Sequence, residues 1–182
     1  MAASRSVLFL RGINVGGRHK VSMTDLRAVL DDLGLGPSET HLQSGNAVIR
    51  GRAGPKTDQR VAEALAAEFE FDVPAISRSA ADLQSVIERN PFPGPTADDP
   101  KLVQVLFLRE KPRADRVSAV DLDRWSAEDW QVDGRELYVH FPRGSARSTL
   151  TVGDVEAQLG VEATARNWNT VLAMAEKVAA PG

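Results

Sequence analysis

The chain has 182 residues, 42% of them apolar and 26% charged, which is an ordinary globular profile with a formal net charge of −3. It contains no cysteine and three scattered histidines. Disulfides, thiolate catalysis, iron–sulfur clusters and Cys-based zinc sites are therefore excluded, the histidine spacing supports no other metal site, no cofactor is implied, and the net charge argues against a broad nucleic-acid coat.

The first apolar run, Val7 to Leu10, stops at Arg11, whereas a secretory core needs about 7–15 apolar residues. The longest unbroken apolar stretch, Val171 to Ala175, is far short of the ~20 residues of a membrane span, so a cytoplasmic protein is expected. Charge is uneven: residues 1–60 carry +4, residues 61–100 carry −6 and residues 101–182 carry −1. A positive excess confined to the first third fits a local anion site or a solvated face.

Ser6 to Arg11 reads as a strand from its continuous apolar run. A Gly-rich segment, Gly12 to Lys20, leads into a helix opened by Ser22 and Asp25, with Leu26, Val29, Leu30 and Leu33 on one face and Gly34 as the stop. Glu39 to Gln43 and Ala47 to Arg50 form a hairpin across Ser44-Gly45-Asn46. A helix over Lys56 to Phe69, a strand over Phe71 to Ser77 and a helix opened by Ser79 and Asp82 follow. Five breakers between Pro91 and Pro100 then mark a linker.

Beyond the linker the order repeats. Leu102 to Leu108 is a strand, Arg113 to Val120 a weak helix, and Asp129 to Val132 pairs with Glu136 to Phe141 across Asp133-Gly134. Glu136, Tyr138 and His140 alternate with Leu137, Val139 and Phe141, which predicts one wetter face. A helix opened by Thr151 and Asp154, a strand over Glu162 to Ala165, and a helix from Asn167 with Val171, Leu172, Ala175 and Val178 inward complete the chain. Each half reads βαββαβ plus one helix. The expectation is an α+β fold of two tandem ferredoxin-like units, residues 1–90 and 101–182, joined by the linker at 91–100.

This element order places the first strand-to-helix loop and the first hairpin on one rim of their sheet. The loop supplies Arg11, Asn14, Gly16, Gly17, Arg18 and Lys20, and the hairpin Gln43, Ser44 and Asn46. Glycines that let N–H groups converge, a helix start and full positive charges suit a phosphate or carboxylate; the alternative is a tight turn that needs glycine for positive φ. Gly12 and Gly17 have P-loop spacing, but Arg18-His19 replaces the required Lys and hydroxyl, so Walker-type hydrolysis is rejected. In the second half, Arg143, Ser145, Arg147 and Ser148 share a rim with Arg166, Asn167, Trp168 and Asn169. Asn167 or Asn169 could serve only as a helix cap, and Trp168 only as core. Neither cluster holds a catalytic carboxylate pair. His19, His41 and Lys20 are the candidate proton carriers near the first. The strands that would carry base-stacking aromatics in an RNA-recognition module read Val7-Leu8-Phe9-Leu10 and Ala47-Val48-Ile49-Arg50, which argues against nucleic acid.

Four separated motifs, LRGINVGG (Leu10 to Gly17), LQSGN (Leu42 to Asn46), NPFP (Asn90 to Pro93) and ARNWNTV (Ala165 to Val171), resemble the signatures of a bacterial family known as domain of unknown function 1697. The departure is His41, where the family's pattern has Tyr. The resemblance implies a tandem ferredoxin-like fold and no activity. The functional expectation, from the donor-rich clusters, is binding of a small anionic, phosphorylated or nucleotide-like ligand. Arg11, Asn14, Arg18 and Lys20 would contact the anion, Gln43, Ser44 and Asn46 would line the rim, and Arg166, Asn167 and Asn169 would join if the halves close over it. The alternatives are an enzyme acting on such a ligand through Arg and Asn charge stabilisation, and a structural or interaction module.

Overall fold

Continuous apolar runs flanked by turn residues become the central strands of two antiparallel sheets. The computed structural model describes residues 4–121 and 123–180. The first sheet contains β1 (Arg5–Leu10), β2 (Glu39–His41), β3 (Asn46–Arg50) and β4 (Ala75–Ser79) in the order β2-β3-β1-β4. The second contains β5 (Val103–Leu108), β6 (Asp129–Asp133), β7 (Glu136–His140) and β8 (Ala163–Asn167) in the equivalent order β6-β7-β5-β8. The helices are α1 (Met23–Asp32), α2 (Pro55–Phe69), α3 (Ala80–Glu88), α4 (Pro93–Asp98), α5 (Ala114–Ser118), α6 (Val152–Leu159) and α7 (Trp168–Ala179).

Helix boundaries follow local chemistry. Ser22 caps α1 by accepting from the Asp25 N–H, and Thr151 caps α6 by accepting from the Asp154 N–H. Pro55 opens α2 at a position where no N–H is needed, and Gly160 closes α6 in the left-handed region. Each sheet packs one face on its own apolar cluster. Leu8, Leu10, Ala47, Ile49 and Ala75 meet Leu26, Leu30, Val61 and Leu65 in the first. In the second, Leu106, Leu108, Leu137 and Val139 meet Trp125, Val155 and Leu159.

Four local expectations are corrected. The strand expected over Phe71 to Ser77 begins at Ala75 and reaches Ser79, because Pro74 has no N–H for the ladder and its carbonyl accepts from the Arg11 N–H. The Pro-rich stretch at 91–100 carries α4, with Pro93 in the first helical turn and Asn90 Oδ1 accepting from the Phe92 N–H. The predicted wet face of β7 is buried. Tyr138 is 0% exposed with its hydroxyl donating to the Val86 carbonyl, and Glu136 faces Arg89 at 3.8 Å. On α7 the buried stripe is Val171, Met174 and Val178, whereas Leu172 is exposed and Ala175 half-buried.

The chain groups into two units. One comprises residues up to Ser85 together with those from Ala173 onward, and the other Val86–Leu172. The divisions fall within α3 and α7, and the described residues from Ala173 onward group with the first sheet.

Candidate functional site

The β1–α1 loop is pinned at both ends by buried Ile13 and Val21. Between them the chain turns tightly: Val15 and Arg18 form an isolated antiparallel bridge, the Arg18 N–H donates to the Val15 carbonyl at 3.1 Å, and Gly16 and Gly17 have φ of 59° and 75°. Two successive positive φ values are what a two-residue hairpin turn of the primed type demands, and they explain both glycines. Asn14, itself at φ 55°, ties the loop together. Its Nδ2 donates to the carbonyls of Val21 and Gln43, each at 2.8 Å, and its Oδ1 accepts from the Val21 N–H at 3.0 Å. The bond to Gln43 joins the loop to the β2–β3 turn, as the element order requires for two segments on one rim.

That turn is equally braced. Asn46 is fully buried and donates to the His41 carbonyl and to Ser44 Oγ, while the Gly45 carbonyl accepts from the Leu10 N–H. Of the nine residues expected on this rim, Asn14 and Asn46 therefore hold the frame, as do the turn glycines. Gln43, Ser44, Arg18 and Lys20 are exposed, and Arg11 is half-buried. An open depression of about 450 Å³ lies here, lined by Asn14, Gly17, Lys20, Val21, Ser22 and Gln43.

The exposed His19 stacks on Phe71 with ring centroids 4.5 Å apart, and its Nδ1 lies 3.2 Å from the Gly12 carbonyl. Partial burial, and then the nearby Lys177 ammonium, hold His41 below its ordinary value. Among the described residues no group of His, Asp and Glu could hold a metal ion.

The second-half candidates lie in the other unit. Arg166 is buried, and its Nη1 donates to Thr164 Oγ1 and to the Ala165 carbonyl. Burial pulls its guanidinium down to about 10, so it remains charged at neutral pH. Asn167 Oδ1 accepts from the Thr170 N–H, which makes it the cap of α7; Asn169 is exposed and Trp168 buried.

Sequence reasoning missed Arg78. It pairs across the ladder with Val7 as Arg166 pairs with Val105, and it donates to the preceding carbonyl, Ser77, as Arg166 does to Ala165. Each arginine precedes a residue that caps the next helix, Ser79 or Asn167. The signal was present: aligning Ala75–Ser79 with Ala163–Asn167 superposes the two arginines.

The profile of the family described as "Protein of unknown function (DUF1697)" matches residues 3–138. The chain belongs to this family. Its motif residues are those just described: LRGINVGG builds the clamped turn, and LQSGN the hairpin that Asn14 holds. Among solved structures, the conserved bacterial protein SP0830 from Streptococcus pneumoniae matches with a TM-score of 0.73 at 24% identity, over 97% of this chain and 99% of that one. At that identity the match speaks for the fold. A search of curated proteins gave no match. No helix among the described residues is long and apolar enough to cross a membrane.

Proposed function

We propose that this DUF1697 protein binds a small anionic molecule, phosphorylated or nucleotide-like, at the rim formed by the β1–α1 loop and the β2–β3 turn. One observation carries the reading. Arg18 and Lys20 are exposed cations whose side chains make no hydrogen bond or ion pair among the described residues, on a loop fixed by Asn14 beside the depression. Charged donors on a rigid frame can meet an anion without first breaking an internal pair. The end of α1 adds little, because the Asp25 carboxylate already sits there, accepting from Ser22 Oγ at 2.6 Å. Arg18 and Lys20 supply the charge in this reading, exposed Gln43 supplies amide groups, and Asn14 and Asn46 hold the loops in place.

A thermal-shift screen with nucleotides and sugar phosphates tests this, since a ligand at 100 times its Kd adds about 2.7 kcal/mol. Every binder found should lose most of that shift in the Arg18→Ala/Lys20→Ala double variant. An unchanged shift for each binder would remove the reading. The use of His19 in packing weighs against an enzyme at this rim.

The shared strand order, β2-β3-β1-β4 and β6-β7-β5-β8, supports taking each unit as a ferredoxin-like βαββαβ module. The paired positions of Arg78 and Arg166 support an internal duplication. A bacterial, cytoplasmic setting fits the bacterial relative.

A further inference from the structure

A second cavity, of about 390 Å³, lies in the unit spanning Val86–Leu172. Its walls are the turn carrying Glu128 and the loop from Arg143 to Thr149. The charges in it are uncompensated. Glu128 Oε2 is buried without a hydrogen-bond partner among the described residues. Arg143 and Arg147 are exposed, and neither makes a hydrogen bond or ion pair among the described residues. Glu128 is half-buried and lines the cavity, so with Oε2 closed off and unpartnered its carboxylate meets a donor from outside the chain through the other oxygen.

Both walls are held from behind. Trp125, fully buried, donates through its indole to Asp154, whose other oxygen receives Arg124 at 2.5 Å. Thr149 Oγ1 donates to the Arg124 carbonyl at 2.7 Å, fastening one wall to the other. On the far side, Gln104 donates to Ser145 Oγ at 3.1 Å and the Leu150 N–H donates to Ser148 Oγ at 2.9 Å. The side chains facing the cavity are thus carried on a fixed backbone.

We propose that this cavity binds a small molecule bearing both a phosphomonoester and a primary ammonium group, with the phosphate on Arg143 and Arg147 and the ammonium on Glu128. Two guanidinium groups and one carboxylate give the site a charge of +1. A doubly ionised phosphate with one ammonium carries −1 and pairs every charge, whereas a plain α-amino acid leaves one guanidinium unmatched. The volume lies within the range of small-ligand sites, roughly 300–1,000 Å³.

Calorimetric titration with phosphoethanolamine, inorganic phosphate and ethanolamine separates the contributions. The wild-type chain should bind phosphoethanolamine at least about tenfold tighter than phosphate, and ethanolamine weakest. Glu128→Gln should weaken phosphoethanolamine and strengthen phosphate, because the ammonium partner and a repulsive charge vanish together. The exposed pair Arg143→Ala/Arg147→Ala should lose both anions while keeping the wild-type melting temperature. Equal affinity for phosphoethanolamine and phosphate, no binding of either, or an unchanged preference in Glu128→Gln would each overturn the proposal. Arg18→Ala/Lys20→Ala should leave the preference for phosphoethanolamine over phosphate unaltered, which keeps this site's outcome separate from that of the first rim.

Discussion

Asn14 shows how one side chain can carry a motif. It holds three hydrogen bonds across two loops and occupies positive φ, a region that asparagine tolerates better than most residues. Asn14→Ala should therefore cost about 2–3 kcal/mol in urea unfolding, since it leaves half-buried backbone groups without partners. Asn14→Gly loses the same bonds but adopts the left-handed region freely, so it should be about 1 kcal/mol less destabilised than Asn14→Ala. Equal losses would mean that the backbone relaxes out of that region. His41 supplies a pH prediction. Its folded-state value lies below the ordinary 6.5, owing first to partial burial and then to Lys177. The unfolded chain therefore binds more protons, and stability rises with pH. The stabilisation is complete well above 6.5 and is lost as pH falls through that value toward the lower folded one. The urea midpoint should drop between pH 7.5 and 5.5, and His41→Gln should flatten that slope.

At the scale of elements, the sequence reveals those whose boundary signals are local. Ser22 and Thr151 mark helix starts in both sequence and structure. The boundaries that differ depend on distant partners. Pro74, with no N–H for the ladder, lies outside β4 although its carbonyl accepts from the Arg11 N–H, and Tyr138 is buried although it alternates with apolar residues. The two rims differ in the same way. Turn chemistry at Gly16, Gly17 and Gly45 is readable from residue type, whereas the bond from Asn14 to Gln43 and the unpartnered oxygen of Glu128 leave no trace in spacing. Two glycines separate conformation from space. A Cβ on Gly45 would sit 2.6 Å from Leu10 Cβ and 2.9 Å from Ile13 Cδ1, in addition to a φ of 77°. Gly16, at φ 59°, has nothing within 4 Å. Gly16→Ala should cost about 1–2 kcal/mol from φ alone. Gly45→Ala should cost roughly 3 kcal/mol or more, because backbone strain and overpacking add. Chemical denaturation of the two variants checks the order; a Gly45→Ala chain as stable as Gly16→Ala would mean that the turn can shift.

At the scale of the whole molecule, the repeated element order was legible and the grouping of the C-terminus was not. Strand order repeats because each half carries the same alternation of apolar runs and capped helices. The sequence placed residues 101–182 together, yet residues from Ala173 onward group with the first sheet. The apolar stripe of α7 names no partner, since Met174 and Val178 would satisfy any apolar surface of suitable shape. Their burial, at 0% and 4% exposure, and the donation from Arg5 to the Ala180 carbonyl tie this segment to the fold. A chain ending at Leu172 should lose roughly 3–6 kcal/mol, the value of burying two such side chains. The location of the damage is the sharper readout. Hydrogen exchange should accelerate first in β1 and β4, where the first sheet loses its C-terminal segment, and later in β5 and β8. Loss of protection beginning in β5 and β8 would instead favour the division read from the sequence, in which the C-terminal helix belongs with the second half.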